Sequence, residues 1–374
     1  MVAPSISAAV PERIAKAYAT ARGECAPGHA FNLFFEVWNT QKWEMSNNVK
    51  AEALKDVFSL SPYPAKMLNA MVARQECMRN LLGPEQITSI YALATSPFTT
   101  GLGIEHPLEN GFAFLSPYGL PYLAGSGVKG MLRKAAEDSE ELNPEQVEHL
   151  FGTDNQASGF ASLQPGELKR GVLTFWDVFP TPDQGSQALF RVEIMTPHHS
   201  DYLQKRGTPN DSESPIPIPF LAIRPGSQFV FTVTCQTNRL DEKKLPKPWK
   251  EIVDSLFDDA FVRLGFGAKT AVGYGALKRM GTSAINEQKQ KSSMAEKRCS
   301  WVDEKISEIS KKPGIALKDV LVGRKLAEEW NEISDEEIKA TALADIKARW
   351  GEQWNGKLSG ARKIARAIYG EDPS

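Results

Sequence analysis

The run Gly125-Ser126-Gly127-Val128-Lys129-Gly130, followed by Met131, Leu132, Arg133 and Ala135, limits the fold more than any other stretch. Val128, Met131, Leu132 and Ala135 recur at i, i+3, i+4 and i+7, so one face of a helix packs into a core. Ser126 is expected to cap that helix through its hydroxyl. The opposite face is costly for a helix built only to pack. Lys129 stands in the first turn, where the helix dipole disfavours cations, and Arg133 follows at i+4 as a like charge. Gly125 and Gly127 each cost about 1 kcal/mol against alanine. A bound polyanion relieves all three penalties: glycines admit a phosphate to the backbone, free amides bind it, and the cations neutralise it. A solvated basic face with glycines in a tight turn accounts for the same residues. Residue types alone leave both readings open.

A chain of 374 residues has room for one large domain or two ordinary ones, with core enough to need no staples. Its net charge of −2 excludes a globally basic nucleic-acid binder, so any such site is a local patch. Cys25, Cys77, Cys235 and Cys299 stand far apart without metal-ligand or disulfide spacing, which points to a reducing compartment. The first residues lack the apolar core of a signal peptide, and no run is long enough to span a bilayer. The expectation is a soluble, cytoplasmic protein without a membrane partner.

Residues 1–85 read as a helical N-terminal region. Phe31, Phe34, Phe35 and Trp38 fall at helical spacing, as do Met67, Met71 and Met78, and core packing is preferred to a base-stacking platform. From residue 86 to 280 the pattern is strand (Ile87–Thr95), the Ser126 helix, an acidic loop-like stretch to Gly152, strand (Gly171–Phe179), strand (Gln228–Cys235), helix (about Trp249–Leu264) and a last strand to about Met280. The order β, α, β, β, α, β is that of the ferredoxin-like split arrangement. An excursion over about 180–227 interrupts it, with Met195–Pro225 long, polar and rich in proline. Residues 281–374 read as a polar linker and a helical extension, in which Trp330, Trp350 and Trp354 suggest a small bundle.

Gly265, Gly267, Gly273 and Gly275 bracket Lys269 between the second helix and the last strand. This is neither a P-loop, because Ala268 separates Gly267 from Lys269, nor a dinucleotide fingerprint, which follows a strand and opens a helix. Four glycines exceed what a turn needs and are expected to let another backbone approach, with a sugar-phosphate chain as the candidate. His198, His199 and Asp201 do not make a metal site, since adjacent side chains diverge and no third ligand cluster accompanies them. A polar or stacking contact is the preferred role for the two histidines.

The Gly125–Arg133 run resembles the helix-opening signature of the RAMP superfamily of CRISPR proteins, and Gly265–Gly275 resembles its C-terminal glycine-rich loop. Phe151-Gly152, then Trp176-Asp177 with Pro180, then Met195–Tyr202, then Pro215–Phe220 resemble, in that order, a subunit family of the Cmr (type III-B) effector complex. The resemblance covers about residues 86–280. It departs at Gly127, where a second serine is frequent, and at His199, where tyrosine is usual. It implies an α+β, modified ferredoxin-like (RRM-like) RAMP domain in a non-catalytic RNA-binding subunit without a cofactor. The implied partners are a CRISPR RNA, held at its 3′ portion, a complementary target RNA and the other Cmr subunits. The RNA contacts would then come from Gly125, Ser126, Gly127, Lys129, Gly130 and Arg133, from His198 and His199, and from Gly265, Gly267, Lys269, Gly273 and Gly275. The alternative is an endoribonuclease of the same superfamily, which needs a general base such as His106, His198 or His199.

Overall fold

The computed structural model describes residues 6–46, 49–57, 60–153, 168–183, 188–196, 208, 217–281, 330, 331, 339 and 343. The chain divides into two compact units, Met1–Met280 and Gly281–Ser374. The expected C-terminal bundle and its linker lie outside the described residues, apart from isolated positions.

The first unit opens with strand β1 (Ile6–Ser7), helix α1 (Glu12–Ala21) and helix α2 (Pro27–Asn32). Strand β2 (Trp38–Asn39) pairs antiparallel with β1, and helices α3 (Lys50–Ala53) and α4 (Pro62–Leu81) follow. The helical reading of the aromatic stripe fails here: α2 ends at Asn32, and Phe34, Phe35 and Trp38 lie beyond it. Their common role is nonetheless packing. Phe31 and Phe35 are buried, and Phe34 stacks on Tyr18 with centroids 4.2 Å apart.

Strand β3 (Ile87–Ala94) begins the main sheet. A small antiparallel pair, β4 (Phe114–Leu115) with β5 (Leu120–Pro121), leads into helix α5 (Gly125–Asp138). Then comes helix α6 (Pro144–Phe151), where the sequence suggests an acidic loop. Asn143 accepts from the Gln146 amide while the Gln146 side chain accepts from the Asn143 amide, a capping box that starts the helix in spite of its acidic surroundings. Strand β6 (Leu173–Phe175) is shorter than the predicted strand. Strands β7 (Phe190–Met195) and β8 (Ile218–Ile223) form an antiparallel hairpin within the excursion. Phe220, Leu221, Ala222 and Ile223 are buried, so the described C-terminal end of the proline-rich stretch packs into the core. Strand β9 (Gln228–Cys235), helix α7 (Trp249–Asp259) with a π-helical turn at Ala260–Leu264, and strand β10 (Leu277–Arg279) complete the unit.

The four long-range strands line up as β10-β3-β9-β6, and every pairing is antiparallel. Alternation in β9 sorts its side chains onto two faces. Phe229, Phe231 and Val233 point to the helical side, where Phe231 meets Phe257, Phe261 and Phe266 with ring centroids 5.1, 5.6 and 4.9 Å away. Burying Phe231 fully contributes about 2–3 kcal/mol. On the other face, the Thr232 hydroxyl accepts from Arg79 of α4 at 3.3 Å, and Gln75 of the same helix donates to the Asp177 carbonyl at 2.7 Å. Helix α4 is thereby tied to the sheet opposite α7.

Candidate nucleic-acid interface

Helix α5 starts at Gly125 because Ala124 is extended and Gly125 sits against β6. A Cβ at Gly125 would overlap the Phe175 carbonyl, so the first glycine of the run serves contact with the chain's own backbone. Ser126 lies inside the helix and is not its cap. The cap comes from Asp177, whose Oδ1 accepts from the Gly125 amide at 2.7 Å. A carboxylate at that end also complements the helix dipole. Asp177→Ala is therefore expected to lower stability by about 1 kcal/mol, read as a shifted urea midpoint with an unchanged slope. An unshifted midpoint would show that the helix start does not depend on Asp177.

Beside this helix start lies an open cleft of about 230 Å³, lined among others by Gly125, Ser126, Lys129, Arg170, Gly171 and Thr174. Gly127 and Gly130 are exposed, and a Cβ on Gly130 would meet only open space. These two glycines leave the helix backbone accessible. Burial, and then the charge of Arg133, hold the Lys129 amine below its ordinary pKa. Neither Lys129 nor Arg170 has an ion pair among the described residues. The Gly125 amide is taken by Asp177, and the Gly127 and Val128 amides donate to the Ala124 carbonyl at 2.8 and 3.2 Å, so the cleft offers a phosphodiester chiefly its two uncompensated cations.

Arg133 behaves differently. Its Nε donates to Glu137 and its Nη1 to the Gly152 carbonyl, both at 2.7 Å, and its side chain is only 18% exposed. Gly152 in turn forms an antiparallel bridge with Arg170. Gly152 and Gly171 face each other so closely that a Cβ on Gly152 would lie 2.7 Å from the Gly171 nitrogen. The sequence reading misses Arg170. The signal available was the pair Lys169-Arg170 ahead of a glycine and a strand. Lys169 is spent on Glu148 at 2.5 Å, which leaves Arg170 at the cleft.

The second glycine loop is built for a different neighbour. The Ala268 amide donates to Thr99 and the Gly275 amide to Pro97, both at 2.8 Å. A Cβ on Gly267 would overlap the Thr99 carbonyl, and Gly265 packs on Thr270. The close approach expected of these glycines is thus to the chain's own backbone, at Thr99 for Gly267 and at Phe266 for Gly275. Gly273 alone has no neighbour near its Cβ position. Lys269 lies 5.6 Å over the Phe220 ring and 2.9 Å from Met195 Sδ, and no residue of this loop lines the α5 cleft.

His106 stacks on Phe31 at 3.8 Å; its Nε2 meets the Phe31 carbonyl at 2.9 Å, while Nδ1 accepts from the Leu108 amide at 3.2 Å. Burial lowers its basicity, the Phe31 carbonyl raises it and the Lys50 charge lowers it further. Both nitrogens are thus occupied within the fold. His198 and His199 lie outside the described residues. Among the described residues, no group of three His, Cys, Asp or Glu could hold a metal ion, and no helix is long and apolar enough to cross a membrane.

Residues 92–278, half of the chain, match the RAMP superfamily. The chain is 27% identical over 246 residues to the CRISPR system Cmr subunit Cmr6 of Pyrococcus furiosus, covering 52% of this chain and 69% of that protein. It is 28% identical over 166 residues to the CRISPR system CMR subunit Cmr6 of Saccharolobus solfataricus, covering 44% of this chain and 47% of that one. Among solved structures it is similar to a chain of the type III-B Cmr-beta complex bound to cognate target RNA, with a TM-score of 0.44, 22% identity, and 62% and 70% of the two chains covered. It is also similar to the crystal structure of Cmr6 from Pyrococcus furiosus, with a TM-score of 0.30, 23% identity, and 52% and 98% covered.

Proposed function

The chain belongs to the RAMP superfamily, and from that premise we propose that it is an RNA-binding subunit of a type III-B CRISPR effector complex. The likeness to two Cmr6 subunits supports the place in that complex. We read the main sheet as a modified ferredoxin-like module. Its strand order β10-β3-β9-β6, with α5 and α7 in the two intervening connections, supports that reading. The partners are a CRISPR RNA, a complementary target RNA and the sibling subunits.

The observation that carries RNA binding is the cleft at the start of α5, where Lys129 and Arg170 line one space beside the accessible helix backbone. Asp177 takes the Gly125 amide and the Ala124 carbonyl takes those of Gly127 and Val128, so a phosphate is received chiefly by the two cations. The role is one of holding RNA rather than cutting it. His29, His106 and His149 each bond to backbone groups, which supports a structural use of these histidines.

Lys129→Ala is expected to weaken binding of labelled single-stranded RNA by the purified full chain without lowering its melting temperature. One lost phosphate contact reduces the magnitude of the log-affinity against log-salt slope by about 0.7. An unchanged slope and affinity would remove the cleft from the RNA path. Incubation of the parent chain with guide or target RNA is expected to leave the RNA intact. Cleavage abolished by His198→Ala or His199→Ala would replace this function with a nuclease.

A further inference from the structure

Two arginines lie near Lys129, and the structure uses them in different ways. Arg133 follows it by one turn on α5, the position at which a second phosphate contact is expected from the sequence. Its guanidinium is already committed to the Glu137 carboxylate and the Gly152 carbonyl. A phosphate there would compete with a carboxylate at 2.7 Å and would face its charge. Arg170 belongs to a separate segment. It lines the cleft with an exposed side chain and without an ion pair among the described residues.

The segment carrying Arg170 is held by backbone contacts to the end of α6. Gly152 bridges Arg170, the Thr153 amide donates to the Lys169 carbonyl at 2.9 Å, and the Val172 amide donates to the His149 carbonyl at 3.1 Å. Gly171 has no room for a side chain, because a Cβ there would lie 2.5 Å from the Leu150 carbonyl. The Gly152 carbonyl is the acceptor that Arg133 grips. One side chain of α5 therefore braces the Gly152 side of the backbone pair that presents Arg170, while Arg239 braces the other by donating to the Arg170 carbonyl at 2.8 Å.

Resting on the RNA-binding reading above, we propose that Arg170 is a phosphate ligand of the cleft and that Arg133 is its positioning residue. Arg133 acts on RNA only through the Gly152–Arg170 contact and makes no contact with the phosphate itself. The pair Lys129 and Arg170 then grips the RNA backbone from two elements, a helix and the lead-in to a strand. Two phosphate contacts from two elements fix the direction of the strand across α5, which one lysine cannot do.

The test is a double-mutant cycle on the purified full chain, with labelled single-stranded RNA titrated at several salt concentrations. Arg170→Ala is expected to weaken binding about tenfold and to reduce the salt slope by about 0.7. Arg133→Ala should weaken binding in the parent but add nothing, in affinity or slope, once Arg170→Ala is present. Arg133→Lys keeps a positive charge but not the fork that holds both Glu137 and Gly152, so it should resemble Arg133→Ala rather than the parent. Lys129→Ala should add its full effect to Arg170→Ala. Additivity between Arg133→Ala and Arg170→Ala, or parent-like binding by Arg133→Lys, would show that Arg133 touches phosphate and would overturn the proposal. An effect of Lys129→Ala with none from Arg170→Ala would overturn it while leaving the cleft in place. No effect from either Lys129→Ala or Arg170→Ala would instead remove the RNA-binding reading of the cleft. Thermal melts of each variant identify any that fails to fold, and Arg133→Lys supplies the answer where Arg133→Ala does so.

Discussion

Gly275→Val is expected to prevent the unit Met1–Met280 from folding. Gly275 has φ of +70°, a conformation that β-branched residues avoid, and a Cβ there would lie inside the Phe266 carbonyl. The backbone has no freedom to move aside. The Gly275 amide donates to Pro97 at 2.8 Å, and its carbonyl accepts from the Phe266 amide at 2.9 Å. Phe266 is itself packed among Phe231, Phe257 and Phe261. Steric overlap, strain and loss of core contacts act together, so the cost is roughly 4 kcal/mol or more, a large part of the about 5–15 kcal/mol typical of a domain. Gly273→Val is the control. Gly273 also has positive φ, +89°, but nothing stands near its Cβ, so the cost is the strain alone, about 1–3 kcal/mol. Circular dichroism and urea titration separate the two. Equal behaviour of both variants would show that the loop does not lean on Phe266 and Pro97.

The largest loss of RNA affinity is expected from Lys129→Glu combined with Arg170→Glu. Each lost charge-assisted contact weakens binding about tenfold, and two new carboxylates in the cleft repel the phosphates, so the combined loss is at least about a hundredfold. The salt slope should fall by about 1.4 for two single-strand contacts. Folding should survive. Neither cation holds an acidic partner among the described residues, and removing Lys129 relieves its repulsion with Arg133. A double variant that binds within a few-fold of the parent, with a parent-like melting temperature, would place the RNA elsewhere on the chain.

Where side chains alternate or recur along a single element, the sequence was sufficient. Phe229, Phe231 and Val233 marked β9, and Ile252, Val253, Leu256 and Phe257 marked α7, because periodicity is a local property. The helix that begins the cleft was legible for the same reason, through Val128, Leu132 and Ala135. Its cap was not, because the acceptor for the Gly125 amide is Asp177, on another element, while Ser126 merely occupies a position common for caps. Helix α6 was hidden by its acidic residues, although Asn143 and Gln146 carried a readable start signal. Prolines concealed β8, in which Pro219 pairs opposite Ile194 in a two-stranded hairpin. The glycines of the second loop were legible as a requirement for close approach, but not the identity of the neighbour. Whether a glycine admits RNA or the chain's own Thr99 carbonyl is decided by tertiary placement. Arg170 escaped for a related reason, since its proximity to Lys129 depends on a glycine-to-glycine contact between segments on either side of residues 154–167.

The sheet order has a consequence for the birth of the chain. Strand β3 lies between β10 and β9, and both of these neighbours are made long after it. During synthesis from the N-terminus, Ile90, Ala92 and Ala94 leave the ribosome with neither edge of their strand paired and with Phe231 and Phe257 still to be added. Helix α5 is likewise translated before Asp177 exists to cap it. The cleft therefore cannot take shape progressively behind the ribosome. It forms late, when Gln228–Cys235 docks and β10 closes the far edge, so the nascent chain passes through a long interval with a bare strand that another chain can capture. Slow codons between Ala94 and residue 228 should lengthen that interval and lower the yield of folded protein unless a chaperone covers the strand, whereas the same delay after residue 280 should leave the yield unchanged.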